Sequence, residues 1–174
     1  MRLRMLLAGA LVLAAGARLA SAQTERPVRI GVFDSRAIAV AWANSDEFRN
    51  SIGEMKSAQA KAKADGDTKR AAELEQQGQW MQVRLHQQGF STATVSAILA
   101  KVKDQLPAIA ADARAVMLVS KWEVPFQGAG VETVDVTMPM VRLFHPSERT
   151  LRIVDEMKSV QPMAFDELPL DPNL

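Results

Sequence analysis

Two stretches with matched heptad spacing, separated by four turn residues, constrain this chain more than any other feature. Phe48, Ile52, Met55, Gln59 and Ala62 recur at 4-3-4-3 spacing, and Ala71, Leu74, Gly78, Met81 and Leu85 at 3-4-3-4. Such spacing lays each set along one seam of a helix. Ala64-Asp65-Gly66-Asp67 lies between them, and its turn residues break the pattern. The spacing therefore predicts an antiparallel helical hairpin over about residues 45–88, each leg burying one stripe. Glu54, Lys56, Lys61 and Lys63 fall on the outer positions. Gln59, Ala62, Ala71 and Gly78 are weak seam residues, so a loosely packed tip is expected. At 1.5 Å per residue a leg from Phe48 to Ala64 spans about 25 Å.

The flanks read differently. Val28 to Phe33 (VRIGVF) alternates like a short strand, with Val28, Ile30 and Val32 on one face. Asp34 or Ser35 can then cap a buried helix running through Ala37 to Ala43. Gly89 is expected to interrupt the second leg, and Ser91 or Thr92 to restart it. Val95, Ile98, Leu99, Val102, Leu106 and Ile109 share a helical face, with Pro107 breaking or kinking it. Val116 to Val119 reads as a strand extending toward Val124, Pro125 to Gly130 as a turn, and Val131 to Val136 as a third strand. Glu132 shares the valine face and is expected at the sheet edge. Thr137 can cap a helix carrying Pro139 and ending at His145-Pro146. Ser147 to Val160 makes a last helix with Leu151, Val154 and Met157 inward. The proline-bearing tail, 161–174, reads as extended or disordered. The fold class is α+β: a small sheet body with a projecting helical hairpin and C-terminal helices.

The amino terminus reads as an address. Arg2 and Arg4 precede an uncharged run from Met5 to Ala17, and Ala20-Ser21-Ala22 supplies small residues before Gln23. That order is a secretory signal peptide cleaved after Ala22, and the run is shorter than the ~20 residues that span a bilayer. Cleavage leaves 152 residues, one domain's worth, and takes three arginines and no acid, so the formal charge falls from +1 to −2. A near-neutral surface argues against nucleic-acid binding, which needs a clustered basic face. With no cysteine in the chain, disulfides and lipid attachment through cysteine are excluded. No other segment is long and apolar enough to span a membrane.

Motifs for chemistry are few. His86 and His145 have no metal-ligand partner at i+3 or i+4. Asp65-Gly66-Asp67 lacks the further oxygen ligands of a calcium loop. Asp34-Ser35 has neither a base nor a glycine-rich elbow beside it, and Asp135 and Thr137 read as helix caps. The expectation is a non-enzyme without cofactor or metal. Trp80 lies one position off the seam, where it either offers an apolar contact or, the favoured reading, packs against the body or a neighbouring subunit; Trp122 and Phe126 read as core.

Three stretches carry a resemblance. VRIGVFD at 28–34, ILAKVKDQLPAIAADARAVMLV at 98–119, and VDVT at 134–137 followed by Met140, Val141, Leu143 and Phe144 resemble the Skp/OmpH family of periplasmic chaperones. The resemblance spans about residues 28–144. It implies a homo-oligomer, a trimer in that family, whose helical arms hold unfolded outer-membrane or envelope proteins without ATP in the periplasm. The client contacts implied lie on the arm's inner faces at Phe48, Ile52, Met55, Trp80, Met81 and Leu85. A second reading keeps the fold without chaperoning, as an envelope adaptor docking a partner through its C-terminal helix and tail. The short, nearly neutral hairpin motivates it.

Overall fold

A computed structural model describes residues 27–168. The expected signal peptide, 1–22, and the last tail residues, 169–174, lie outside the described residues. The elements run β1 (Val28–Phe33), α1 (Ser35–Ala43), α2 (Asp46–Ala64), α3 (Thr68–Phe90), α4 (Ser96–Leu99), a 3₁₀ stretch (Ala100–Gln105), α5 (Leu106–Asp112), β2 (Met117–Ser120), β3 (Val131–Asp135), α6 (Thr137–Arg142) and α7 (Glu148–Met157). Mixed helices and a small sheet make the molecule α+β.

The sheet has three strands in the order β2-β1-β3, and both neighbours run parallel to β1. β2 and β3 do not pair with each other, although only ten residues separate them. Lys121–Glu123 turns off the strand as a 3₁₀ segment instead of extending it toward Val124. The chain then returns to the sheet's other end, where Val28 N–H donates to the Gly130 carbonyl at 3.0 Å.

Strand alternation puts Gly31, Phe33, Leu118, Val134 and Val136 on one face, and the helical core packs there. The face carrying Val28, Ile30 and Val32 is the less covered one: none of the three belongs to the core. Gly31 explains which face is covered. A Cβ at that position would stand 2.5 Å from Leu118 Cδ2 and 3.4 Å from Val136, so the missing side chain is what lets the core close over β1. Glu132 sits on the exposed edge strand and pairs with Arg29 at 2.8 Å.

α1 is buried nearly all round, as a helix does at the centre of a core. It packs against α3, α6 and α7. Asp34 caps it by accepting from Arg36 N–H at 3.0 Å. Thr137 does not cap α6. Val136 holds that position without a side-chain bond, and the Thr137 hydroxyl accepts from Asp34 N–H at 3.0 Å, tying the end of β1 to α6. The Asp135 carboxylate accepts from Thr137 N–H at 2.8 Å. The run over 95–109 is broken as expected; Val102 leaves helical geometry and Pro107 opens α5.

α2 and α3 flank the turn at Asp65–Asp67, where Gly66 adopts φ +75° and Asp67 caps α3. Gln59 donates to Glu75 at 3.4 Å, and Met55 Cε lies 3.4 Å from where a Cβ on Gly78 would stand. These pairings join positions about equidistant from the turn. The end near the turn, expected to be loose, is the closer packed: Ala62, Ala71 and Leu74 are buried, because small side chains let the backbones approach. α3 also runs unbroken through Gly89 to Phe90. Gly53 lies inside α2 and a Cβ there would meet nothing within 4 Å. Gly53→Ala is therefore expected to stabilise the fold by about 0.5–1 kcal/mol, read as a raised urea midpoint with an unchanged slope. A lowered midpoint would contradict the open geometry.

Candidate functional site

Away from the turn, residues of α1, α2 and α3 together line a groove. Five of the six residues expected to contact a client, Phe48, Ile52, Met55, Met81 and Leu85, line this groove, whose volume is about 540 Å³. Trp80 does not join them. It is 64% exposed and lines none of the cavities described here.

Two kinds of residue build the groove. Large apolar side chains form its walls, with Val40 and Phe90 added to the expected set. Small residues keep its floor clear: Ala39 and Ala43 from α1, Gly78 and Gly89 from α3. Gly78 and Gly89 are eleven residues apart, three helical turns, and so face the same way. Gly89 lies four residues, about one turn, after Leu85 and so shares its side of α3. The polar lining is Asn44, Lys56, Gln82 and His86. His86 meets the Phe90 ring edge-on at 5.5 Å between centroids.

The groove opens at both ends. Toward the turn, Met55, Lys56 and Gly78 are shared with a more polar cleft lined by Gln59, Lys63 and Glu75. At the other end, Val40, Gly89 and Phe90 are shared with a hollow of about 330 Å³ lined by Ile153, Met157, Val160 and Met163. The described part of the tail is docked here: Met163 N–H donates to the Phe90 carbonyl at 2.8 Å, and Leu168 is buried.

A second cluster sits at the carboxyl ends of the strands. Asp34 and Arg36 are 4% and 2% exposed. Arg36 donates to both Asp34 oxygens, at 3.1 and 2.8 Å. The Trp122 indole N–H donates at 3.0 Å, and Lys121 Nζ lies 3.0 Å away. Burial alone would push the Asp34 carboxyl up, but the hydrogen bonds from Arg36, Trp122 and Lys121, with the Arg36 charge, hold it down at about 2. Arg36 and Lys121 also lie over the Trp122 ring, at 4.9 and 4.4 Å from its centre. Arg36 reaches the Met157 carbonyl at 3.3 Å, so the cluster joins β1, α1, the segment after β2, and α7. With this many donors committed to it, Asp34 serves as a structural tie. Trp122, expected in the core, is half-buried over this cluster, and Phe126 is 83% exposed, contrary to its core assignment.

Among the described residues no three of His, Cys, Asp and Glu come together as a metal site. No described helix is long and apolar enough to cross a membrane. No protein-family model matches the chain, and no curated protein or solved structure is significantly similar to it. The Skp/OmpH resemblance thus rests on the stretches quoted above alone.

Proposed function

We propose that this protein is an ATP-independent holdase of the periplasm that shields apolar segments of unfolded envelope or outer-membrane proteins. The observation that carries the reading is the groove: an open apolar trough on the inner side of the hairpin, lined by five of the six expected contacts. Flexible Met55 and Met81 suit a surface that must accept many sequences. In this reading α2 and α3 form an antiparallel coiled-coil arm on the sheet body, and the amino-terminal segment directs export.

One groove of this volume receives only a few side chains, so holding a whole chain takes several subunits. The uncovered sheet face supports such an oligomer. Val28, Ile30, Met117, Val119 and Val131 share it, and all-parallel sheets are found almost only with both faces covered. Met117 and Val28 are exposed there. A homo-oligomer built on that face would bring several grooves into one particle.

The test is dilution of a urea-unfolded outer-membrane β-barrel protein into buffer with the processed chain, followed by light scattering. Near-stoichiometric suppression of aggregation is expected, weakened by Met55→Glu with Leu85→Glu in the groove. No suppression at excess protein would sink the holdase. The adaptor reading would then stand, favoured by the docked tail beside Phe90, and a single stoichiometric partner would be recovered from envelope extract.

A further inference from the structure

We propose that the groove between α1, α2 and α3 is also a ligand site for a monomeric long-chain carboxylate, a fatty-acid anion. Its alkyl chain would lie against the apolar wall and its head beside Lys56. This goes beyond chaperoning and does not depend on it.

The shape fits a small amphiphile. A volume of about 540 Å³ falls within the ~300–1,000 Å³ of sites that enclose small ligands. Ala39, Ala43, Gly78 and Gly89 leave that space clear without any side chain having to move. Two methionines in the walls can follow the bends of an alkyl chain.

Charge selects the head. No carboxylate lines the groove; Lys56 and His86 are its titratable residues. Lys56 forms no ion pair among the described residues. It stands at the junction where the apolar groove passes into the polar cleft. In that cleft Lys63 is a second cation, 3.9 Å from Glu75, and Glu75 also accepts from Gln59. The site is thus apolar toward α1 and polar toward the turn, with a free ammonium at the boundary. A single-headed anionic amphiphile has the matching order of parts. A cationic head would meet like charge at Lys56, and an uncharged head would leave the ammonium without a counter-ion.

The test titrates the processed full chain with a fluorescent long-chain carboxylate below its micelle concentration. Competitors of equal chain length carry a carboxylate, an alcohol or a quaternary ammonium head. Saturable binding is expected, displaced best by the carboxylate, less by the alcohol and least by the ammonium. Lys56→Glu should weaken carboxylate binding about three- to tenfold and leave displacement by the alcohol unchanged. Gly89→Leu puts a side chain into open space on the groove floor and should abolish binding without lowering the melting temperature. Unsaturable uptake, equal displacement by all three heads, or indifference to Lys56→Glu would overturn the proposal. So would binding confined to anionic phospholipid vesicles. Aggregation suppression is measured separately, so the carboxylate site and the holdase can fail independently.

Discussion

Asp34→Ala is expected to cost about 3–5 kcal/mol of folding stability, the usual consequence of removing one partner from a buried ion pair. Arg36, 2% exposed, would be left as a buried guanidinium with the Met157 carbonyl as its remaining hydrogen-bond acceptor. Against a typical total of ~5–15 kcal/mol the variant would be barely folded at 37 °C. Chemical denaturation followed by circular dichroism measures it, and a loss under about 1 kcal/mol would show that the cluster is not a tie. The double replacement Asp34→Leu with Arg36→Met should recover most of the loss, because a well-packed apolar pair often substitutes for a buried ionic one at little cost. Lys121 can then turn to water, since its side chain is 35% exposed.

The same carboxylate sets an acid limit. Its folded value of about 2 lies below the ordinary 3.8, so it favours the folded state wherever it is ionised in both states. That contribution, about 2 kcal/mol, is complete above roughly pH 5 and is lost as the pH falls through 3.8 toward 2. Stability between pH 5 and pH 2 should therefore fall less steeply in Asp34→Asn than in the native protein. Parallel curves would refute this.

Trp42→Ala is expected to cost about 3–5 kcal/mol as well, by a different route. The Trp42 ring meets Phe48 at 5.7 Å and Phe144 at 6.2 Å between centroids, both edge-on. Lys101 Nζ lies 4.6 Å from its centre. One side chain thus holds α1, α2 and the end of α6 together. Phe48 is also a wall of the groove, and without Trp42 its ring loses its backing. Trp42→Ala should therefore lose groove binding at temperatures where circular dichroism still reports a folded chain, whereas Trp42→Phe should keep most of both. An Ala variant with full stability would mean that α1 and α2 are fastened elsewhere.

The local parts of this fold were legible in the sequence: β1, the Asp34 cap, the turn at Asp65–Asp67, the break before Pro107, and the seam residues that line the groove. The failures lie where distant residues decide. β1 carries apolar residues on both faces, so alternation could not show that Gly31 and Phe33 turn inward. That depends on Leu118 and Val136 filling the space a side chain would have taken. The parallel pairing of β3 with β1 was hidden because a short glycine-bearing connection after β2 reads as a hairpin turn. Trp80 was placed by seam position alone, which cannot say whether a neighbouring helix covers it. The Arg36 cluster left one trace, a lone arginine at the head of the apolar run SRAIAVAWA. Such an arginine needs a buried counter-ion, and the adjacent Asp34 was the candidate.

The central strand is made from the earliest described residues and the edges from much later ones, with Asp34 and Thr137 bonded across 103 residues. A chain delivered amino-terminus first would keep β1 waiting for β3 roughly 5–20 s at ordinary synthesis rates. The hairpin, whose contacts are local, can form in that interval; the sheet cannot. Until then VRIGVF is an unpaired strand with apolar side chains on both sides, open to pairing with any extended neighbour. The first strand to emerge is the last to be satisfied.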